Sequence, residues 1–229
     1  MIKFGGVRMK KLFIIIGILV VVFLGMVIFK NVSGNKNVTV QEIEDIQTYI
    51  SKIYMWKEIT NSSLPVFDDI NNADDLWIWE VVKKNSEEYE MSYDEIKEKA
   101  IEVFGKDFKK DFPKEGTTEF VYEPESDMYV ATEVDLDLKE DTFLLNDIKK
   151  NNNGYTVEIV EYLEDYSQED SIVVENIQEE EIQKVSSTES ETQMQEIVKN
   201  NIDRFSKKKV YLKKDGDNLF VTKVEEVKK

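Results

Sequence analysis

The most pronounced feature of the hydrophobic pattern is a long apolar run near the N-terminus. No charged or strongly polar side chain interrupts the chain from Leu12 to Phe29. About 18 helical residues at about 1.5 Å each nearly match a bilayer core of about 30 Å. A secretory signal has a shorter apolar region followed by small residues, whereas Lys30 follows here directly. The run therefore predicts an uncleaved transmembrane helix over 12–29, with a signal cleaved near 32–34 as the alternative.

Basic residues are distributed unevenly around this run. Lys and Arg in short flanking segments stay on the cytoplasmic side of a membrane. Four of them precede the run, namely Lys3, Arg8, Lys10 and Lys11, and only Lys30 and Lys36 follow it before the first acidic residue. We expect the bilayer to be a partner through the apolar run, and the C-terminal domain to be extracellular. The predicted parts are a cytoplasmic tail (1–11), a transmembrane helix (12–29), a linker (30–38) and an extracytoplasmic α+β domain (39–229).

Apolar residues at helical spacing predict three helices in the first part of this domain. Thr39 with Glu42, and Ser92 with Glu95, form the reciprocal capping pattern of a helix start. We expect helices over 40–59, over 73–84 with acids first and lysines last, and over 93–104 ending before a glycine.

After Lys114 the apolar period changes from about 3.6 to about 2, which predicts strands. "TEFVYEPESDMYVAT" and "TFLLNDIKKNNNGYTVEIVEYLED" each read as a hairpin, and a third hairpin turns at 215–218. Tyr155 and Ile159 share one face of their strand, whereas Val160 and Tyr162 lie on the other. This change of face predicts a bulge or a long, bent strand.

The stretch 167–192 is dense in Glu, Gln and Ser, with a short apolar cluster at 172–174. Such a composition buries little surface. We therefore interpret it as a flexible acidic excursion that interrupts the sheet, or alternatively as a partner-docking segment, followed by a short helix over 194–205. The predicted fold is α+β, with about three helices packed on a curved antiparallel sheet of about six strands.

Charge narrows the range of partners. The chain holds 30 Lys and Arg and 47 Asp and Glu. Five of the basic residues and none of the acids lie in residues 1–30, which leaves 25 basic and 47 acidic residues, a net charge of −22, in residues 31–229. Because nucleic-acid binding depends on a basic surface, we expect no nucleic-acid partner. The charge favours solubility, or attraction to cations or a basic partner.

The residue types that are absent exclude several chemistries. The chain has no His and no Cys. Triad catalysis through His, the common zinc ligand sets, thiol redox chemistry, disulfides and lipid attachment through Cys are therefore excluded. No glycine-rich phosphate-binding motif occurs. Asp135 and Asp137 have the first spacing of a calcium loop, but Lys139, Glu140 and Asn146 occupy its fifth, sixth and twelfth positions. We predict no metal and no cofactor.

Carboxylates and aromatic residues are the remaining candidates for chemistry. A glycosidase needs two carboxylates across a sugar, and 47 acids do not single out a pair. Trp56, Trp77 and Trp79 are candidates for a sugar platform, although their helical faces predict that at least two of them are core residues. A ligand pocket on the concave sheet face is the other option, although the strand aromatics are expected to be core or barrel-lining residues first and ligand contacts second. The candidate pocket residues are Tyr122, Tyr155, Tyr162, Trp77 and Trp79.

Four segments carry a resemblance to known proteins. "SYDEIKEKAIEVFG", "FVYEPESDMYV", "YTVEIVEYLED" and "NNIDRFSKKKVYLKKDGDNLFVTKVEEV" are similar to segments of uncharacterised membrane- or lipid-anchored exported proteins of low-GC Gram-positive bacteria. The resemblance implies a location and a fold style, with no activity and no functional residue. Helices on a bent sheet also resemble NTF2-like and cystatin-like folds, including the single-span scaffold proteins of secretion and conjugation machines.

The leading hypothesis from the sequence is a non-enzymatic, membrane-anchored extracytoplasmic domain that binds a protein or a cell-wall component, or serves as a scaffold. Three alternatives stay open. They are a small-molecule binder with a concave sheet pocket, an NTF2-like component of a secretion or conjugation machine, and an acid-based hydrolase.

Overall fold

The computed structural model of this protein describes residues 38–86, 88–117, 120–131, 138–188 and 191–228. The predicted tail (1–11), the predicted span (12–29) and Asp135 and Asp137 lie outside the described residues. Within the described part of the chain, no helix is long and apolar enough to cross a membrane. The domain is α+β, as predicted, with helices packed against antiparallel sheets.

Five α-helices are described, with two short 3-10 segments at Ile70–Asn72 and Ile202–Arg204. The helices are α1 (Val40–Ile53), α2 (Lys57–Thr60), α3 (Asp75–Asn85), α4 (Tyr93–Phe104) and α5 (Glu191–Asn200). The capping boxes at Thr39 and Ser92 are both present, which confirms two of the predicted helix starts.

The prediction of one helix over 40–59 is wrong at its C-terminal end. Helix α1 stops at Ile53, and residues 54–56 are extended before the single turn of α2 begins. Residues distant in the sequence bind the backbone groups that would otherwise continue the helix. Lys84 Nζ donates to the carbonyls of Ser51 (3.0 Å) and Tyr54 (2.7 Å), and the Met55 N–H donates to the carbonyl of Ser63 (2.8 Å).

The strands form two antiparallel sheets. The smaller sheet contains β1 (Glu90–Met91), β2 (Phe120–Glu123) and β3 (Met128–Ala131), in the order β1-β3-β2. The larger sheet has six strands: β4 (Lys139–Asn151), β5 (Gly154–Gln168), β6 (Ser171–Glu175), β7 (Glu181–Ser186), β8 (Ser206–Asp215) and β9 (Asn218–Glu226). Its order is β7-β6-β5-β8-β9, and β4 pairs along the other edge of β5.

All three predicted hairpins are present, but they belong to two different sheets and not to one. The β2–β3 hairpin joins β1 instead, and the six-stranded sheet is completed by two strands from the stretch 167–192. The prediction that this stretch interrupts the sheet is therefore wrong. Residues Ile172 and Val174 are buried because β6 pairs with the end of β5 and packs against α5.

Strand β5 is buried on both faces, which explains the change of face in its apolar pattern. Tyr155, Val157 and Ile159 belong to the main core with side chains of α1, α3 and α4. Val160 and Tyr162 belong to a second core that α5 covers. The strand is 15 residues long, as its pattern suggested, and a register shift lies on its partner β4 between Leu145 and Asp147.

Candidate functional site

A cleft of about 510 Å³ lies along the edge of β4 that does not pair with β5. Helices α1, α2 and α3 and the segment 54–56 form one side, β4 forms another, and Glu191 of α5 reaches its end. The apolar lining consists of Tyr54, Met55, Trp56, Ile59 and Phe143. The ionisable lining, apart from Tyr54, consists of Glu80, Lys83, Lys84, Glu140, Asp141 and Glu191. A volume of this size and a mixed lining are typical of ligand sites.

The extended segment after α1 places the aromatic residues of the cleft. Tyr54 is 5% exposed and its hydroxyl donates to the Thr142 carbonyl (3.1 Å). Trp56 is 36% exposed. The break in the helix therefore fixes one ring against β4 and leaves the other accessible at the cleft.

A buried ion pair lies directly behind the cleft. Lys208 Nζ donates to Glu161 Oε1 (2.9 Å) and to the Leu64 carbonyl (2.6 Å), and the Tyr54 hydroxyl lies 3.4 Å from the same Glu161 oxygen. Burial raises the pKa of Glu161, and the charge of Lys208 opposes this shift. Glu161 Oε2 has no hydrogen-bond partner among the described residues. Since Glu161 is 1% exposed, this pair connects the sheet to the loop at Leu64 and does not face a ligand.

Asp141 also serves the local structure. Its carboxylate accepts the Lys57 N–H (3.0 Å) and the Ser63 hydroxyl (2.8 Å), which holds the start of α2 and the loop before Leu64 against β4. Glu80 is similarly engaged, because it accepts the Thr117 hydroxyl (2.8 Å). These two carboxylates shape the cleft.

Three carboxylates meet at the α5 end of the cleft. Glu140 on β4 lies directly opposite Glu164 on β5, and Glu191 at the start of α5 covers the same face. Burial raises the pKa of Glu164 to about 7, and the charges of Glu140 and Glu191 add to this shift. Like charges placed opposite each other across strands repel, so this end of the cleft has an excess of negative charge.

The two tryptophans that the sequence proposed as pocket residues, Trp77 and Trp79, lie outside this cleft. Trp77 is 0% exposed and its Nε1 donates to the Ile53 carbonyl (3.0 Å). Trp79 is 1% exposed, among Phe112, Phe120 and Tyr129. The expectation that at least two tryptophans are core residues is confirmed.

The three tyrosines are also outside the cleft. Tyr122 is half-buried on the small sheet, where its hydroxyl donates to Asp127 (2.8 Å). Tyr155 lies in the main core and donates to Glu42 (2.7 Å), and Tyr162 packs in the second core. None of these five residues lines the cleft beside β4, and helices cover the sheet face that carries Tyr155.

The aromatic residue that does line the cleft with an exposed ring is Trp56. Its sequence signal is weak, since it follows an amphipathic helix in phase and nothing in the local pattern shows that the helix stops at Ile53. Glu140 and Glu191 carry no distinguishing signal among the acids of this chain. Only the pairing of β4 with β5, and the docking of α5, bring them together.

Comparisons with family models, with curated protein sequences and with solved structures found no match for this chain. The resemblance to anchored exported proteins therefore stays a prediction. Among the described residues, no group of three or more acidic side chains is arranged to hold a metal ion. The function is therefore proposed from the cleft, its electrostatics and the apolar run of the sequence.

Proposed function

We propose that this chain is a non-enzymatic binding domain, held at the outer face of a membrane by residues 12–29, which binds a protein or cell-wall component in the cleft beside β4. The anchor follows from the length of the apolar run and its basic N-terminal flank. Helices on an antiparallel sheet are also compatible with the NTF2-like or cystatin-like style expected from the sequence.

The cleft is the single observation that carries the binding role. It combines an exposed Trp56 with apolar neighbours such as Ile59 and Phe143, and it has ionisable groups at its edge. Exposed aromatic rings beside polar groups are the residues that contribute most to recognition.

The engagement of Asp141 and Glu161 favours binding over catalysis by these two groups. A catalytic carboxylate has to reach a substrate, whereas Asp141 is held by Lys57 and Ser63, and Glu161 is buried with Lys208. These groups fix the walls of the cleft. A rigid wall that is already formed lowers the cost of ordering a ligand.

Tryptophan emission tests this proposal. The chain has three tryptophans, and Trp56 is the exposed one while Trp77 and Trp79 are 0% and 1% exposed. We expect soluble fragments of a Gram-positive cell wall, or members of a peptide panel, to shift the emission of the full-length chain in phosphatidylcholine nanodiscs.

A pair of variants locates the response. Trp56→Ala should weaken the binding of any active fraction by about tenfold in calorimetry, whereas Tyr89→Ala, which removes another exposed aromatic ring outside the cleft (58% exposed), should leave it unchanged. No response from any fraction, or equal losses in both variants, would contradict the proposal.

A further inference from the structure

We infer that the ligand of this cleft is a basic peptide, with a Lys or Arg side chain bound between Glu140 and Glu191 and in contact with Trp56. This inference rests on the proposed function and names the chemistry of the partner. Three features of the described residues support it: the charge at one end of the cleft, the aromatic ring beside it and the open edge of β4.

The lysines of the cleft balance the charge at its α5 end only in part, because the lining holds four carboxylates and two lysines. The charge of Lys84 opposes the rise that burial causes in the pKa of Glu140, whereas the charge that acts on Glu191 is that of Glu140 itself. Lys83 lies 3.7 Å from the carboxylate of Glu80. A cation from outside would therefore be attracted to Glu140 and Glu191.

A third carboxyl group, that of Glu164, adds to the negative charge next to Glu140 and Glu191. Glu164 lies behind them at 6% exposure, opposite Glu140 in the sheet. Burial first, and then the charges of Glu140 and Glu191, raise its pKa to about 7. An ammonium or guanidinium group at this point would relieve the repulsion, and an anion would increase it.

Trp56 provides a second contact for the same group. Its ring is partly exposed at the cleft, and cations are attracted to the face of an indole ring. The methylene groups of a Lys or Arg side chain also pack on apolar surfaces such as that of Phe143 while the charged end stays polar.

The edge of β4 favours a peptide over a simple amine. The Leu138 carbonyl accepts the Tyr166 N–H of β5 (2.7 Å). Because alternate residues of a strand direct their N–H and C=O groups the same way, those of Asp141 and Phe143, an odd number of positions from Leu138, point away from β5, to the edge that lines the cleft. A peptide can bond to these groups and an amine alone cannot.

Matched peptides test the inference on the full-length chain in phosphatidylcholine nanodiscs at pH 8 and low salt. The probes are N-acetyl-Leu-Lys-Leu-amide, its norleucine counterpart, which lacks only the charge, and n-hexylamine, which lacks the peptide. We expect the lysine peptide to bind at least about tenfold more tightly than either of the others, and about 0.5 M salt to reduce this preference.

Charge variants locate the cation. Glu140→Gln and Glu191→Gln should each weaken binding of the lysine peptide about threefold to fivefold, with little effect on the norleucine peptide. Glu196→Gln, an exposed change on the same helix as Glu191, removes one charge outside the cleft and should have no effect. Unchanged unfolding temperatures would show that the variants are folded.

Each negative result contradicts a different part of the proposal. Equal binding of the norleucine peptide would overturn the basic character of the ligand, and equal binding of n-hexylamine would overturn its peptide character. If no peptide binds while wall fragments still shift Trp56 emission, the basic-peptide inference is wrong and the cleft keeps its role. If neither peptides nor wall fragments act, the proposed function fails as well.

Discussion

Glu164 is a carboxyl group that the fold surrounds with other acidic residues. It is 6% exposed and lies opposite Glu140 in the sheet. Burial, together with the charges of Glu140 and Glu191, raises its pKa from 4.5 to about 7, against the opposing effect of hydrogen bonds from the hydroxyls of Tyr166 and Tyr162. The folded chain therefore binds this proton more tightly than the unfolded chain does.

The pH dependence of stability follows from this shift. Because the pKa is higher in the folded state, the ionised carboxylate costs stability above pH 7, and this cost disappears as the pH falls from about 7 to about 4.5. Glu164→Gln imitates the protonated group. We expect this variant to be more stable than the natural chain by roughly 3 kcal/mol at pH 8, and equally stable near pH 4.5.

Urea unfolding at several pH values measures the difference. Glu196→Gln, which removes a charge from an exposed position, serves as the control and should show no such trend. A difference between Glu164→Gln and the natural chain that stays constant from pH 4.5 to pH 8 would contradict the account of this carboxyl group.

The sequence does not indicate which acids are buried. Glu164 and Glu161 each follow two apolar or aromatic residues in "VEIVEYLED", so the local pattern does not distinguish them. One lies under α5 among carboxylates, and the other pairs with Lys208 beneath the cleft. Their environments are set by contacts with distant residues, which local patterns do not contain.

At the scale of elements, local chemistry predicted starts and turns well. A few neighbouring residues are enough to define the capping boxes, the turn before Gly154 and the turn at Gly216. The strands β6 and β7 were missed because their burial depends on β5 and α5. The end of α1 was missed because distant residues bind the backbone just beyond it: Lys84 donates to the Tyr54 carbonyl, and the Met55 N–H donates to the Ser63 carbonyl.

Gly154 joins β4 to β5 at a point where the backbone of β8 passes very close. A Cβ atom at this position would lie 1.9 Å from the Leu212 carbonyl oxygen, which cannot be relieved by a side-chain movement. Gly154→Ala should therefore destabilise the chain by about 3 kcal/mol or more.

The matched change is Gly216→Ala in the β8–β9 turn. A Cβ atom there meets nothing within 4 Å, and only its φ of +63° is unfavourable, so we expect a loss of about 1 kcal/mol. Denaturant midpoints measure both. Equal losses in the two variants would mean that the approach of β8 to Gly154 is not tight.

At the scale of the whole molecule, the order of helices followed by strands could be predicted, and so could the α+β class. The division into two sheets and the second core under α5 could not. The cleft could not be predicted either, because it combines α1, α3, β4 and α5. Its function depends on where the chain places it, and the predicted membrane span at 12–29 is the part of the proposal that addresses this location.

The absence of cysteine makes one measurement especially direct. Single cysteines at two positions, Gly5→Cys in the N-terminal tail and Trp56→Cys at the cleft, can be probed in intact protoplasts with a membrane-impermeant maleimide. The central claim is that the chain presents the cleft outside the membrane that holds residues 12–29. We therefore expect label on the Trp56→Cys chain in intact protoplasts, and on the Gly5→Cys chain only after permeabilisation. The reverse pattern, or a labelled chain that starts near Asn35 in the medium, would contradict it.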